Sequence, residues 1–301
     1  MHRKNRLPSM QGYLSVCLAA GLWATSGSVA KSLFTAGVTP FQLVQLRTTI
    51  ASTVLVAWMV LLQAEHFRIR LRDIPYFVFL GSALAATQFT YLYAISKIQV
   101  AAAILLQYQA PVLIAAYVVL IARQRLSAST VLAVLGAASG CYLLVGAYSL
   151  NILSLNRAGI IAGISSGAAF AVYTVTSEYG MRTYNSWTVL SFALVVASVL
   201  WNLFHPPFEA FVYDYGSATR WLAIVFIAVF GTILPFGLYN RGIAMIRSTR
   251  ASVTATLEPL IAGVISYHFL GETMEPLQLL GAGVVIVSVV LLQISGGSAD
   301  G

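Results

Sequence analysis

The sequence predicts an all-α polytopic membrane protein, with ten transmembrane helices arranged as two inverted five-helix repeats and both termini in the cytoplasm. Three observations carry this. Of 301 residues, 59% are hydrophobic and only 9% are charged, against about 25% charged in soluble domains. Apolar runs of about twenty residues, each able to cross ~30 Å of hydrocarbon, recur along the whole chain. They divide into five and five, and basic residues crowd alternate ends.

Ten runs read as spans: 10–34, 40–64, 74–96, 99–121, 128–148, 156–180, 184–204, 218–246, 249–270 and 275–294. Helices suit them because each satisfies its own backbone hydrogen bonds in hydrocarbon. Pro40, Pro75, Pro206-Pro207 and Pro276 sit at ends, and the loops are short. Only 204–217 is long enough to carry a small surface element. The first run follows a basic tail (Arg3, Lys4, Arg6), and "SVA" at 28–30 resembles a signal cleavage site. The run continues through Phe34, too far for a signal core, so it reads as a retained helix. Cys17 and Cys141 fall inside spans, so no disulfide framework is implied.

With the N-terminus inside, the inner segments hold Arg3, Lys4, Arg6, Arg68, Arg70, Arg72, Arg123, Arg125, Arg182, Arg241, Arg247 and Arg250. The outer ends hold Lys31, Lys97, Arg157 and Arg220. Twelve against four is a positive-inside bias. The +8 net charge then reads as attraction to an anionic inner leaflet rather than to nucleic acid.

The spans split into 10–148 and 156–294. Five per half is odd, so the second half enters the membrane with opposite orientation, as inverted-repeat transporters do. Shifting by 148 lays "YLYAISKIQVAAAILLQYQAP" (91–111) on "YNRGIAMIRSTRASVTATLEP" (239–259). Tyr91/Tyr239, Ile95/Ile243, Ile98/Ile246, Ala103/Ala251 and Pro111/Pro259 coincide.

At these residues the chain resembles the EamA-type units of the drug/metabolite transporter superfamily. "LEP" at 257–259 followed by "FLGETMEPLQLLGAGVVIVSVVLL" (269–292) is similar to the end of such a unit. Trp23 in "GLWATSG", Arg47 in "QLRTTIA" and the "YLYAIS" segment are similar to its earlier spans. The first half departs from the pattern: Gln109-Ala110-Pro111 stands for Leu-Glu-Pro and removes one buried carboxylate. The resemblance extends to bacterial inner-membrane exporters of aromatic and other neutral amino acids. It implies a multi-pass inner-membrane exporter of small amphipathic metabolites, needing no cofactor and no obligate protein partner. It also implies that spans three, four, eight and nine surround a central cavity, helped by one and six.

"GIIAGISSG" (159–167) carries a rival reading. Gly163-Ile-Ser165-Ser-Gly167 matches the G-x-S-x-G nucleophile pattern, which requires a strand-to-helix turn. Here it lies inside an apolar run. An intramembrane serine protease would pair Ser165 with His268, the one histidine inside a span, at a different depth. Gly159, Gly163 and Gly167 share one helix face and suit close approach of a second helix. The stretch reads as a seam.

Ionisable residues within spans face partners or cavities. Arg47 and Glu258 qualify. Glu258 reads as a proton carrier, a cation contact or a hydrogen-bond anchor; Arg47 reads as a cap on carbonyls or a bridge between halves. Thr87, Gln88 and Tyr91 share a face of span three, and span four carries Gln107, Tyr108 and Pro111. Span eight carries Pro235, Tyr239 and Asn240. Trp23 and Tyr173 would supply aromatic walls, and Pro111, Pro235 and Pro259 would act as hinges. Together these describe a mostly apolar pocket with few directing polar groups. No acidic ring, carbonyl filter, nucleotide-binding loop or metal-ligand cluster occurs. The reading is a secondary transporter for amino acids working by alternating access. An importer, a carrier of another metabolite or drug, an ion channel and the protease are its rivals.

Overall fold

The computed structural model describes residues 6–149, 156–204, 209–212, 216–270 and 274–295. Among them there are helices and turns but no strand. The long helices are α1 (Arg6–Thr35), α2 (Pro40–Leu62), α3 (Ile74–Lys97), α6 (Ala128–Leu144), α7 (Arg157–Gly180), α8 (Ser186–Phe204) and α13 (Pro276–Ser295). Between α3 and α6 run α4 (Val100–Gln107) and α5 (Ala110–Leu120). Between α8 and α13 run α9 (Glu209–Val212), α10 (Ala218–Ala228), a π turn (Val229–Ile233), α11 (Leu234–Ala255) and α12 (Leu257–Leu270).

Local sequence explains many of the ends. Thr39 caps α2 in a reciprocal capping box with Gln42, and Pro40 follows at the first helical turn. There its missing N–H costs nothing. Pro75 occupies the same position in α3. Asn156 caps α7 by accepting from the Gly159 amide at 3.1 Å. α9 is the small element expected in 204–217, while Pro206 and Pro207 lie outside the described residues.

Eight of the described helical stretches are long and apolar enough to cross a membrane. This differs from the expected ten runs at two places. The runs 218–246 and 249–270 meet, as expected, at Arg247, whose φ of 68° and ψ of 165° are non-helical; α11 is therefore two helical pieces joined at a kink, and the second ends at Ala255, ahead of α12. A non-glycine residue at the Arg247 angles is strained, and the Ser248 amide beyond it donates to Glu178 Oε2 at 2.8 Å. The run 128–148 is helical only over Ala128–Leu144. The helix then turns off at Gly146, whose φ is +67°.

Two helices break in mid-course. α4 stops at Tyr108 and α5 restarts at Ala110; α11 stops at Thr256 and α12 restarts at Leu257. Each break precedes a proline, Pro111 or Pro259. The two caps lie 148 residues apart, the shift that aligns the two sequences.

The strongest packing pairs also come in couples. α1 lies along α11 as α7 lies along α3; α1 meets α12 as α7 meets α5; α2 meets α10 as α8 meets α3. α6 packs on α13, and α2 on α8, across the middle. Backbones come close at these seams. A Cβ on Gly281 of α13 would lie 2.5 Å from the Leu144 amide nitrogen and 2.7 Å from the Gly140 carbonyl.

The face of α7 carrying "GIIAGISSG" answers the question raised by its glycines. A Cβ on Gly163 would fall 2.7 Å from Leu106, and one on Gly167 2.8 Å from the Leu106 carbonyl. Ser165 lies on the exposed side of this continuous helix. The stretch packs as a seam against α4. The side chain of His268 lies outside the described residues.

Candidate functional site

Where these pairs converge, a small cavity is lined by Trp23 and Ser26 of α1, Arg47 of α2, and Thr87, Gln88 and Tyr91 of α3. Gln107 of α4, Phe170 of α7, Gly231 of the π turn, Phe236 of α11 and Glu258 of α12 complete it. Its volume is about 40 Å³, room for a few water molecules at most. In this conformation the site is narrow.

Arg47 owes its position to the π turn. There the amide of Leu234 reaches back five residues to Val229, and such a register shift disturbs the regular carbonyl pairing. Arg47 Nη2 donates to the Gly231 carbonyl and Nε to Thr232 Oγ1, each at 3.0 Å. The Thr232 hydroxyl in turn donates to the Ile227 carbonyl. The guanidinium therefore caps carbonyls and joins α2 to the α10–α11 segment. It is only 6% exposed, and no carboxylate of a described residue lies within 4 Å of it.

Glu258 sits just past the Thr256 break, buried in the first turn of α12. The Tyr108 hydroxyl, from the break between α4 and α5, donates to Glu258 Oε2 at 2.6 Å. Arg47 and Glu258 share a cavity without pairing, and Tyr91 shares its lining. The Tyr91 hydroxyl and both amide atoms of Gln88 are buried without a partner. Leaving such groups unpaired costs about 1–3 kcal/mol each, so groups like these mark places where water or a ligand binds.

One wall is aromatic. The Trp23 ring meets Phe236 at 5.1 Å, Tyr239 at 5.3 Å and Phe170 at 6.0 Å between centroids, all edge-on. Phe170 and Tyr239 stack at 5.3 Å.

Of the residues singled out from sequence, Trp23, Gln88, Tyr91, Gln107, Arg47 and Glu258 come together around this cavity. Gln107 also accepts from Ser166 at 3.0 Å. Tyr108 stands behind Glu258 rather than in the wall. Tyr173, Tyr239 and Asn240 are fully buried and do not line the cavity. Tyr173 donates to Asn240 Oδ1, and the Tyr239 hydroxyl meets Thr174, both at 3.1 Å. They form a packed polar layer next to the cavity, of the kind that joins helices. Pro111, Pro235 and Pro259 each lie in the first turn of a helix that follows a break or the π turn. Sequence reasoning did not single out Ser26, Phe170, Gly231 or Phe236. The apolar members carry no signal that separates a cavity wall from a lipid-facing surface.

The chain resembles several known proteins over most of its length. It is 32% identical over 202 residues to an uncharacterized transporter of Archaeoglobus fulgidus, covering 67% of this chain and 70% of that one. It is 28% identical to the uncharacterized inner membrane transporter YicL of Salmonella typhimurium, covering 94% and 95%. With the threonine/homoserine exporter RhtA of Escherichia coli it shares 24% identity over 87% and 84%. A crystal structure titled only as that of a protein superposes with a TM-score of 0.76 at 20% identity, over the full length of both chains. That likeness concerns the fold alone. The EamA-like transporter family matches residues 10–146 and again 157–294. A polar cavity set among apolar helices, and a family match that covers nearly the whole chain, lead to one statement: this protein is a member of the EamA-like transporter family.

Proposed function

We propose that the protein is a secondary transporter that exports neutral amino acids, aromatic ones included, across the bacterial inner membrane by alternating access. The observation that carries the reading is the cavity itself. Gln88 and Tyr91 present unpartnered polar atoms in a lining they share with Arg47, Glu258 and an aromatic wall. A small amphipathic solute satisfies all of these features, whereas a bare ion leaves the aromatic wall without purpose. The name of RhtA, an exporter of threonine and homoserine, supports an amino-acid cargo.

In this reading, residues 10–148 and 156–294 are two five-span repeats inserted in opposite directions, with both termini in the cytoplasm. The matched breaks at Tyr108 and Thr256 and the coupled packing pairs support the repeat. The twelve-to-four distribution of basic residues supports the orientation. The halves rock about the cavity, and the aromatic wall of Trp23, Phe170 and Phe236 bounds one side of it. Glu258, the one carboxyl in the cavity, couples export to the proton gradient.

The test is efflux from proteoliposomes loaded with a panel of amino acids. Faster efflux of neutral amino acids than from protein-free vesicles is expected. Efflux of some other metabolite class, with none of amino acids, would replace the substrate assignment.

A further inference from the structure

Arg47 and Glu258 pose a problem that the transporter reading leaves unsolved. The two groups, opposite in charge when both are ionised, line one small cavity, and no ion pair joins them. A guanidinium carries five N–H groups. Arg47 commits two, through Nε and Nη2. Three remain, on Nη1 and Nη2, and a planar fork of this kind matches a carboxylate bidentately. On Glu258, Oε2 accepts from Tyr108, while Oε1 takes no hydrogen bond from a described residue. Between the poles, Gln88 offers an unpaired amide donor and an unpaired acceptor on a side chain that is only 2% exposed, and Tyr91 adds a free hydroxyl.

We propose that this is a zwitterion site: the substrate's carboxylate docks on Arg47, its ammonium on Glu258, and Gln88 and Tyr91 bridge the two ends. The inference rests on the transporter reading and narrows its cargo to molecules that carry both charges. Each pole then gains the counter-charge that the protein withholds. A monovalent analogue pairs one pole and leaves the other buried and unpaired, which buried charges resist. The aromatic wall of Trp23, Phe170 and Phe236 receives the side chain.

The test is competition against tritiated phenylalanine, and separately tritiated threonine, for binding to the detergent-purified full-length chain. N-acetylated and amidated forms of each amino acid compete, lacking the ammonium and the carboxylate respectively. Each should bind about 10- to 100-fold more weakly than its parent, the loss expected for one missing charged hydrogen bond. In Glu258→Gln, which keeps an acceptor for Tyr108, parent affinity should fall about 10-fold. Discrimination against the N-acetyl form should collapse while discrimination against the amide persists. A purely structural role for Glu258 would weaken all ligands together. If either derivative matches its parent on the wild-type protein, the zwitterion site is wrong while amino-acid transport stands. If neither amino acid binds and neither leaves loaded proteoliposomes, the transport reading fails and this inference falls with it.

Discussion

The two mid-helix breaks invite comparison, because the same bend is put to different uses. At the first, Ala110 follows Tyr108-Gln109 and is wholly buried in the core. At the second, 148 residues on, the matching position is Glu258, facing the cavity. Gln109, beside Ala110, spends its amide on the Leu106 carbonyl at 2.9 Å and the Ile164 carbonyl at 3.2 Å. The first bend thus holds α4, α5 and α7 together, while the second presents a carboxyl. The bends also meet, since Tyr108 of the first donates to Glu258 of the second. Pseudo-symmetric architecture therefore does not require symmetric chemistry, and a single carboxyl can serve a site built by both halves.

The largest expected effect breaks the first bend. Gly163→Leu inserts a side chain where even a Cβ lies 2.7 Å from Leu106. Thermal stability should drop by about 1–3 kcal/mol or expression should fail. Ser165→Ala, on the exposed side of the same helix, should stay within about 0.5 kcal/mol. Unchanged melting of Gly163→Leu would contradict the seam.

Next comes the chemistry of the second bend. Glu258→Gln removes titration but keeps size and an acceptor for Tyr108. Counterflow should persist at raised substrate concentration, while accumulation driven by an imposed pH gradient is lost. Wild-type transport indifferent to that gradient would leave Glu258 without a coupling role.

The cavity wall follows. Gln88→Ala, Tyr91→Ala and Gln107→Ala should each raise the half-saturating concentration of substrate about 10-fold, the worth of one hydrogen bond near its upper range. The effect of Tyr239→Ala should be mainly on stability, because that ring is buried outside the cavity. Normal substrate affinity in the three wall variants would move the site elsewhere. The smallest effect on transport belongs to Gln109→Ala: about 1 kcal/mol of stability per lost hydrogen bond, with substrate affinity untouched. A loss of affinity there would erase the distinction between the bends.

Much of this was legible in the sequence because hydrocarbon makes polar residues conspicuous. Arg47 and Glu258 are the two ionisable residues singled out within apolar runs, and both reach the cavity. Gln88, Tyr91 and Gln107 stood out for the same reason. That signal cannot say which polar group faces a cavity and which joins two helices, so Tyr173, Tyr239 and Asn240 looked the same yet bond within a packed layer. Phe170 and Phe236 carried no signal at all. The π turn was hidden because Val229–Ile233 is an ordinary apolar stretch in composition. What it meets is far along the chain: Arg47, 184 residues from Gly231. The kink at Arg247 likewise meets a partner far along the chain, since the Ser248 amide beyond it donates to Glu178.

The central claim, a carrier working around one site, is tested most directly by counterflow. Proteoliposomes containing the protein are loaded with unlabelled phenylalanine or threonine and diluted into the tritiated amino acid. The account predicts transient accumulation of label above equilibrium, dependent on internal substrate and weakened in Gln88→Ala. Label entry that ignores internal substrate would indicate a channel, and no entry above protein-free vesicles would contradict amino-acid transport.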